Sequence, residues 1–191
     1  MERAELLRMF EEAEALWQGH FELRSGLHSD RYFQCANVLR FPRLAEKLCA
    51  ALAAKLTAAQ PEAAAVDGVI APALGGILVA HELARALNVK AIFAEKQEGR
   101  LVLRRFAVRP GERYVVAEDV VTRGGRVQET VDIVERAGAA VAAVAVLVDR
   151  SGGAAAFAYP TYSLLTLEAA TYEPAACPLC RQGLPLTHPG S

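Results

Sequence analysis

The sequence predicts an α/β domain built on a mainly parallel sheet. From residue 66 to residue 149, short apolar segments typical of buried strands alternate with segments whose apolar residues have helical spacing. Such alternation is typical of βαβ units, in which a helix connects two parallel strands. With 191 residues and 53% hydrophobic positions, the chain can bury one sizeable core. We therefore expect a single domain over residues 1–191.

The first sixty residues predict two helices with an extended region between them. Apolar residues recur at helical spacing across residues 3–17, and Trp17 is the last of them. The segments "HFELRSG" and "DRYFQCA" then have the character of short extended stretches. Pro42 suits a first helical turn, so we expect the second helix over about residues 42–59.

The alternating region begins after these two helices. The segments "VDGVIA", "VKAIFA", "RYVVAED", "AAVAAVAVLVD" and "YSLLTL" predict strands, whereas "GILVAHELARAL" and residues 125–137 predict helices. The segment "GRLVLRRFAV" predicts a hairpin arm, and the last fifteen or so residues are irregular. In an open parallel sheet, ligands bind at the carboxyl ends of the strands. The segments "APALGG", "EKQEGR", "EDVVTRGG" and "DRSGG" follow predicted strands at such ends.

The composition excludes several classes of protein. A formal net charge of -1 and a pI near 6.4 predict no general attraction to nucleic acid or to a membrane surface. The N-terminus lacks the apolar core of a secretory signal, and no apolar run is long enough to span a bilayer. Four cysteines without the dense pattern of a disulfide scaffold are expected to be reduced thiols. We expect a cytoplasmic protein.

The segment "TRGGR", residues 122–126, predicts an anion site. It lies between a predicted strand and a predicted helix, where unpaired backbone N–H groups and the helix dipole favour a phosphate. Its glycines permit close approach of the backbone, and the Thr122 hydroxyl can donate a further hydrogen bond. The spacing fits neither the nucleoside-triphosphate P-loop nor the dinucleotide fingerprint.

Two acids, Glu118 and Asp119, precede this anion site. Ionised carboxylates only accept hydrogen bonds, and they repel phosphate oxygens at close range. A ribose 5-phosphate satisfies both features, because its 2- and 3-hydroxyls donate to the acids while its phosphate lies on the glycines. The acids would also stabilise a positive charge at the anomeric carbon when a leaving group departs.

The segment "VVAEDVVTRGG" resembles the phosphoribosyl-pyrophosphate motif of type I phosphoribosyltransferases. The resemblance implies that family's fold, a mainly parallel sheet flanked by helices with an N-terminal hood and a flexible arm. Arg123 and Arg126 depart from the family pattern, since small hydroxyl or aliphatic residues are common there. The implied phosphoribosyl-pyrophosphate-binding residues are Lys96, Glu118, Asp119, Val120, Val121, Thr122, Arg123, Gly124, Gly125, Arg126, Leu74, Gly75 and Arg100.

The segment "LRSGLHSDRYFQCANVL", residues 23–39, resembles the hood of orotate phosphoribosyltransferases, and the similarity continues through "PALGGI", "FAEK", "LVDRSGG" and "CPLC". This resemblance implies transfer of the phosphoribosyl group to orotate in pyrimidine biosynthesis. The implied orotate-binding residues are Thr122, Arg150, Arg24, Tyr32 and Phe33. Two alternatives are a purine phosphoribosyltransferase, which shares the donor motif without this hood, and a non-catalytic regulator that binds the same sugar donor.

The resemblance also implies boundaries for the hood, the arm and the tail, and a catalytic mechanism. The hood would cover about residues 1–40, the arm about residues 95–108 and an irregular tail about residues 174–191. In a homodimer, the arm would reach the neighbouring active site and bring Lys96 to the pyrophosphate, assisted by an arginine such as Arg100, Arg104 or Arg105. Mg²⁺ would arrive bound mainly to the diphosphate. Asp119, Glu118 and Lys96 would be the catalytic residues.

Gly75 is a further departure from the family pattern. It lies in "APALGG", the expected pyrophosphate loop, where many relatives have a lysine. The chain must then obtain its positive charge from another element, and the arm is the expected source.

The segment "CPLC" has the two-residue spacing of a metal knuckle, but two ligands are only half of a zinc site. His188, or a second pair from a symmetry-related chain, could complete it, and a structural tail is the favoured alternative. We therefore assign no metal ligand. His20, His28 and His81 stand alone in the sequence, where packing or surface exposure is the usual role; His28, inside the hood segment, is a candidate for phosphate contact.

Overall fold

The computed structural model describes residues 1–23, 25–61, 65–167 and 170–189. The chain divides into two compact units: the larger is Leu39–Leu167, and the smaller combines Met1–Val38 with residues 168–191. The first segment of the smaller unit corresponds to the expected hood. That the whole chain acts as one domain stays a prediction.

Nine strands and six α-helices are found in the described parts of the chain. In chain order they are α1 (Arg3–Glu12), β1 (Leu16–Glu22), β2 (His28–Phe33), α2 (Cys35–Leu39), α3 (Pro42–Ala59), β3 (Gly68–Pro72), α4 (Gly75–Leu87), β4 (Lys90–Gln97), β5 (Arg100–Val102), β6 (Arg113–Val121), α5 (Gly125–Arg136), β7 (Ala140–Asp149), β8 (Thr161–Thr166), β9 (Thr171–Tyr172) and α6 (Pro178–Arg181). A 3₁₀ turn, Pro174–Ala176, precedes α6.

The larger unit contains a six-stranded sheet in the order β5-β4-β3-β6-β7-β8. All neighbouring strands are parallel except β5, which forms an antiparallel hairpin with β4. This arrangement confirms the predicted α/β fold with a mainly parallel sheet. Strands β3, β6 and β7 are almost wholly buried, as expected for a parallel sheet covered on both faces.

Helices α4 and α5 cover opposite faces of this sheet. A Cβ on Gly76 of α4 would lie 2.8 Å from Ala71 Cβ, whereas the adjacent Ile70 belongs to the apolar cluster that includes Val127, Val131 and Val134 of α5. Successive side chains of a strand point to opposite faces, so the two helices cannot share a face. Helix α3 packs on α4.

The order of strands reverses at β3. From β3 the chain moves to β4 on one side, and it later returns to β6, β7 and β8 on the other side. Such a switch point opens a crevice between the loops that follow the two central strands. These loops, residues 73–74 after β3 and residues 122–124 after β6, lead directly into α4 and α5.

The smaller unit contains an antiparallel sheet in the order β1-β2-β9. Trp17 lies in β1, with its ring centroid 5.7 Å from that of Tyr32 on β2. The predicted helix over residues 3–17 is therefore wrong for its last five residues, 13–17. Helix α1 ends at Glu12 because Glu14 adopts a left-handed conformation, with φ of 54°, which interrupts the helical backbone.

Other sequence predictions agree closely with the structure. Helix α3 spans Pro42–Ala59, as the proline and the apolar spacing predict, and α5 covers the expected segment within one residue. The predicted arm, about residues 95–108, takes in the end of β4 and all of β5, and the two strands turn at Glu98 and Gly99, both with positive φ. None of the helices in the described residues is apolar enough over a sufficient length to span a bilayer.

Candidate active site

A cavity of about 280 Å³ lies at the carboxyl end of β6 in the larger unit. It is lined by Glu118 and by residues 120–127, and therefore by most of the predicted donor motif. Gly124 turns the chain from β6 into α5 with φ of 76°, a conformation that suits glycine. Helix α5 directs its first N–H groups toward the cavity, and the helix dipole adds partial positive charge there.

The two glycines of this turn have different surroundings. A Cβ on Gly124 would lie 2.8 Å from Phe157 Cζ, so the fold itself requires glycine at this position. A Cβ on Gly125 would have no described atom within 4 Å. The fold does not require glycine at position 125, and the open space beside it is available to a ligand.

Glu118 and Asp119 form an acid pair near the carboxyl end of β6. Glu118 is 5% exposed, and burial, followed by the charge of Asp119, raises its pKa to about 9. Burial also raises the pKa of Asp119, although its hydrogen bond with the Glu118 side chain lowers it. The Val120 N–H donates to Asp119 Oδ1 at 2.8 Å, and the Asp119 N–H donates to Glu118 Oε1 at 3.1 Å. Burial thus favours retention of a proton by the pair at neutral pH.

Gly75 and Gly76 provide the space for this acid pair. A Cβ on Gly75 would lie 2.7 Å from Asp119 Oδ2, and a Cβ on Gly76 would lie 3.0 Å from Glu118 Oε1. The first turn of α4 thus lies directly against the carboxylates of β6, across the switch point of the sheet. A lysine in place of Gly75 would displace Asp119.

Arg126 connects the two loops of the crevice. Its guanidinium Nη1 donates to the carbonyl oxygen of Ala73 at 3.2 Å. The positive charge of Arg126 also lowers the pKa of both Glu118 and Asp119, although burial outweighs it. Arg123, the other departure from the family pattern, is exposed. Leu74 is also exposed, and the peptide bond between Ala73 and Leu74 is cis.

The hairpin of β4 and β5 carries the predicted cations. Lys96, Arg100 and Arg104 are exposed, but none of them lines the cavity. Arg105 is held by Glu95, with 3.0 Å between Nε and Oε2. The Leu101 N–H donates to Glu129 Oε1 at 2.6 Å and thereby fastens β5 to α5. The structure thus brings the donor motif together within one chain and leaves the hairpin cations apart from it.

The predicted orotate-binding residues lie in both units. Thr122 follows β6 and is exposed, and Arg150 follows β7, where its N–H donates to the Val121 carbonyl at 2.8 Å. In the smaller unit, Tyr32 is half-buried beside Trp17 and Phe21, whereas Phe33 is buried with its ring edge toward Phe10. Arg24 lies outside the described residues.

Several residues of this site were not predicted from the sequence. Gly76 accommodates Glu118, the Ala73 carbonyl accepts the Arg126 hydrogen bond, and Phe157 encloses Gly124. The paired glycines of "APALGG" were a usable signal for close packing at the start of α4. No local signal identifies Phe157, because it reaches the turn from the loop between β7 and β8.

The fold and the site are those of a phosphoribosyl-transferring class of proteins, since residues 39–179 match the family model of the phosphoribosyl transferase domain. A protein of Carboxydothermus hydrogenoformans named orotate phosphoribosyltransferase is 52% identical over 98% of this chain and 97% of its own length. A protein of Caldicellulosiruptor bescii with the same name is 48% identical over 100% of this chain and 98% of its own length.

A solved structure agrees with these sequence relatives. The orotate phosphoribosyltransferase of Mycobacterium tuberculosis H37Rv, crystallised in complex with inorganic phosphate, is 26% identical, with a TM-score of 0.65 over 86% of this chain and 95% of that chain. The chain therefore belongs to the phosphoribosyl transferase family, and within it to the orotate phosphoribosyltransferases.

Proposed function

We propose that the protein transfers the phosphoribosyl group from 5-phosphoribosyl 1-diphosphate to orotate, giving orotidine 5-phosphate and diphosphate in the synthesis of UMP. The observation that carries this proposal is the pair Glu118 and Asp119 beside an open anion cradle at the start of α5. Relatives that align with 98% and 100% of the chain bear the name of this activity.

The 5-phosphate of the donor would occupy the cradle formed by residues 122–126. Backbone N–H groups at the start of α5 and the Thr122 hydroxyl would donate to its oxygens. The open space beside Gly125 permits close approach of the phosphate to the backbone. Exposed guanidinium groups on Arg123 and Arg126 add positive charge at the rim.

The acid pair would bind the 2- and 3-hydroxyls of the ribose. Hydroxyl donors and a positive anomeric carbon both favour the ionised carboxylates, so binding of the donor would lower the pKa of Glu118 from its high value in the free protein. As the bond from the anomeric carbon to the diphosphate oxygen breaks, its electron pair leaves with the diphosphate. A ring nitrogen of orotate then bonds to that carbon and loses its proton to the departing diphosphate or to water, so no protein nucleophile is needed. The carboxylates stabilise the positive charge that develops at the ribose.

The leaving diphosphate would lie on the loop that contains Leu74 and on the start of α4 at Gly75. Mg²⁺ would be held mainly by diphosphate oxygens and would keep several waters, as this ion prefers, so direct protein ligands are not required. The ion would neutralise charge on the leaving group. Lys96, assisted by Arg100 and supplied by the hairpin of a second subunit in a homodimer, would add the cation that Gly75 does not provide.

Orotate would bind between donors on several elements. Its carboxylate suits the guanidinium of Arg150 and that of Arg24, and the Thr122 hydroxyl offers a further hydrogen bond. Backbone groups near Tyr32 and Phe33 would contact the ring. With reduced thiols and small-molecule substrates, the protein would act in the cytoplasm.

A test that separates this activity from its alternatives uses purified protein with Mg²⁺, the sugar diphosphate and one base at a time. The expected result is release of diphosphate when the base is orotate and not when it is any other base. Turnover with adenine or xanthine and not with orotate would contradict the proposal in favour of a purine enzyme. Binding of the sugar diphosphate without turnover of any base would indicate a regulator. The Asp119→Asn variant is the matched control, because it leaves the size of the side chain unchanged.

A further inference from the structure

Two histidines and two cysteines converge in the smaller unit, whereas the donor motif belongs to the larger unit. His20 lies in β1 and His28 lies in β2. Cys177 immediately precedes α6, and Cys180 lies within it. Each residue offers one ligand atom, and the four ligand atoms lie within 4.8 Å of one another. His20, His28 and Cys177 are buried, and Cys180 is exposed.

Three sulfur–nitrogen distances within this cluster are close to those of a tetrahedral metal site. Cys177 Sγ and Cys180 Sγ lie 3.6 and 3.7 Å from His20 Nε2, and Cys180 Sγ lies 3.3 Å from His28 Nδ1. With usual zinc–sulfur and zinc–nitrogen bond lengths, tetrahedral geometry gives about 3.6 Å between a sulfur and a nitrogen ligand. The two imidazole nitrogens are 2.9 Å apart, somewhat closer than the ~3.3 Å expected around the ion. A small outward movement of one imidazole ring would make room for a zinc ion at the centre of the four ligand atoms.

The second nitrogen of His20 fixes which atom can bind a metal. His20 Nδ1 lies 2.9 Å from the carbonyl oxygen of Leu184, which can only accept a hydrogen bond. The proton of the neutral ring is therefore on Nδ1, and Nε2 presents its lone pair to the cluster. A metal-binding histidine usually donates its other N–H to a carbonyl or carboxylate in this way.

We propose that His20, His28, Cys177 and Cys180 bind one Zn²⁺ ion that fastens the C-terminal segment to the N-terminal sheet. A closed set of two imidazoles and two thiolates is typical of structural zinc, and it leaves no position for a substrate. The thiols are free, as a metal site requires. The cluster is contained within one chain, so neither His188 nor a symmetry-related cysteine pair is needed to complete it.

The surrounding contacts support a structural role for the ion. The Thr187 N–H donates to the His20 carbonyl at 2.8 Å, and the Glu22 N–H donates to the Thr187 carbonyl at 3.0 Å. These hydrogen bonds lay the tail along the edge of β1, while β9 pairs with β2. The ion would add the strongest link among the contacts that join the N-terminal and C-terminal segments, which are about 150 residues apart in the sequence. A link that closes so long a loop strongly restricts the unfolded chain.

The test is metal analysis of the full-length protein, purified under reducing conditions without a metal-binding tag. One zinc per chain is the expected result, either as isolated or after incubation with Zn²⁺ and gel filtration. Replacement by Co²⁺ should give the visible absorption of a tetrahedral ion together with thiolate charge-transfer bands in the near ultraviolet. Less than about 0.2 zinc per chain after reconstitution, or a cobalt spectrum without thiolate bands, would overturn the proposal, because a closed site with these ligands should fill.

Variants distinguish this site from incidental binding. Cys180→Ser and His28→Ala should lose the bound metal, and Cys180→Ser is the gentler change because this residue is exposed. His188→Ala is the matched control in the same tail: its imidazole pairs with Glu22 at 3.2 Å and lies outside the cluster, so its zinc content should stay at one per chain. Retention of zinc by both cluster variants, or equal loss from the control, would contradict the assignment.

The structural role has its own measurement. Removal of zinc with a chelator should lower Tm by about 5 °C or more, and readdition of Zn²⁺ should restore it. Chelator treatment of Cys180→Ser should change Tm little, because that variant has no zinc to lose. A wild-type Tm that is unchanged after verified removal of the ion would refute the structural role.

Discussion

The carboxylate of Asp119 occupies the space that a side chain on Gly75 would need. A Cβ on Gly75 would lie 2.7 Å from Asp119 Oδ2 and 2.8 Å from both Cγ and Oδ1. Gly75 begins α4 just after the loop that follows β3, and Asp119 lies near the carboxyl end of β6, the strand next to β3 where the order of the sheet reverses. A side chain at position 75 would therefore require the Asp119 carboxylate to move.

This close approach predicts non-additive effects of two substitutions. Gly75→Ala should lower stability by about 1–3 kcal/mol, because the new methyl group overlaps the carboxylate. In an Asp119→Ala background the same change should have almost no effect, since Oδ1, Oδ2 and Cγ are all absent. Thermal unfolding of the four proteins measures the interaction as a double-mutant cycle. Additive changes in the free energy of unfolding would mean that Asp119 moves aside without strain.

The raised pKa of Glu118 predicts a dependence of stability on pH. In the unfolded chain this side chain ionises near its ordinary pKa of 4.5, but in the folded protein it keeps its proton until about pH 9. The folded state therefore holds more protons between these values, and the free energy of unfolding should fall as pH rises from about 4.5 to 9. Glu118→Gln removes this proton uptake, so its Tm should exceed that of the wild type by roughly a few degrees at pH 8.5.

The same comparison at acid pH provides the control for Glu118. At about pH 3, well below the ordinary pKa of 4.5, the wild-type carboxyl is protonated in both states, so Glu118→Gln and the wild type should unfold at similar temperatures. Glu11→Gln, on the exposed face of α1, should leave the slope unchanged. Parallel curves for the wild type and Glu118→Gln across the whole range would show that Glu118 is ionised in the folded protein.

The sequence predicts those structural features that depend on residues close together in the chain. The helix after Pro42 and the strand, acids and glycine turn of "VVAEDVVTRGG" each depend on a short segment, and the structure contains them as expected. Contacts such as Gly75 with Asp119 depend on which strands become neighbours, and no local pattern encodes that order. The helix expected through Trp17 failed because the left-handed backbone at Glu14 is not visible in apolar spacing.

The cysteines and histidines of the tail illustrate the same limit. The spacing of Cys177 and Cys180 indicated half of a metal site, but His20 and His28 are about 150 residues away in the sequence. Pairing of β1 with β2 brings the two histidines together, and the tail then carries the cysteines to them. Only the tertiary fold identifies the four as one cluster.

The two glycines of the turn before α5 should respond differently to substitution. Gly124→Ala should lower stability by about 1–3 kcal/mol, because it places a side chain in a left-handed conformation and against Phe157. Gly125→Ala should leave Tm unchanged or slightly higher, since its methyl group enters open space and alanine favours helix. If the donor phosphate lies there, Gly125→Ala should also raise the KM for the sugar diphosphate by roughly tenfold.

Kinetics and unfolding together decide the outcome for these glycines. An unchanged KM in Gly125→Ala would remove the phosphate from this position, and a normal Tm in Gly124→Ala would mean that Phe157 moves freely.

Asp119→Asn should strongly reduce turnover without unfolding the protein. The amide retains the shape of the side chain but cannot offer a full negative charge to the developing ribosyl cation. Loss of one such electrostatic interaction typically lowers kcat by about 10²–10³. The measurement is diphosphate release at saturating substrates, with Tm as the check on folding. Near-normal kcat would exclude Asp119 from the chemistry.

Exchange of subunits tests whether Lys96 acts on a neighbouring site. Lys96 is exposed on the hairpin and does not line the donor cavity of its own chain, which is the arrangement expected if it serves a partner. Mixed dimers of Lys96→Ala and Asp119→Asn would contain one site with both defects and one site with none. Random reassociation of equal amounts should therefore restore about a quarter of wild-type activity.

A mixture of Asp119→Asn with Glu118→Gln is the control for this experiment. Each change lies in the donor motif that a subunit contributes to its own site. Every site in a mixed dimer therefore keeps one defect. Its activity should not exceed the average of the two variants measured alone. Lack of recovery in the Lys96→Ala mixture, when exchange of subunits is verified by mass spectrometry, would place Lys96 in the site of its own chain or outside the site altogether.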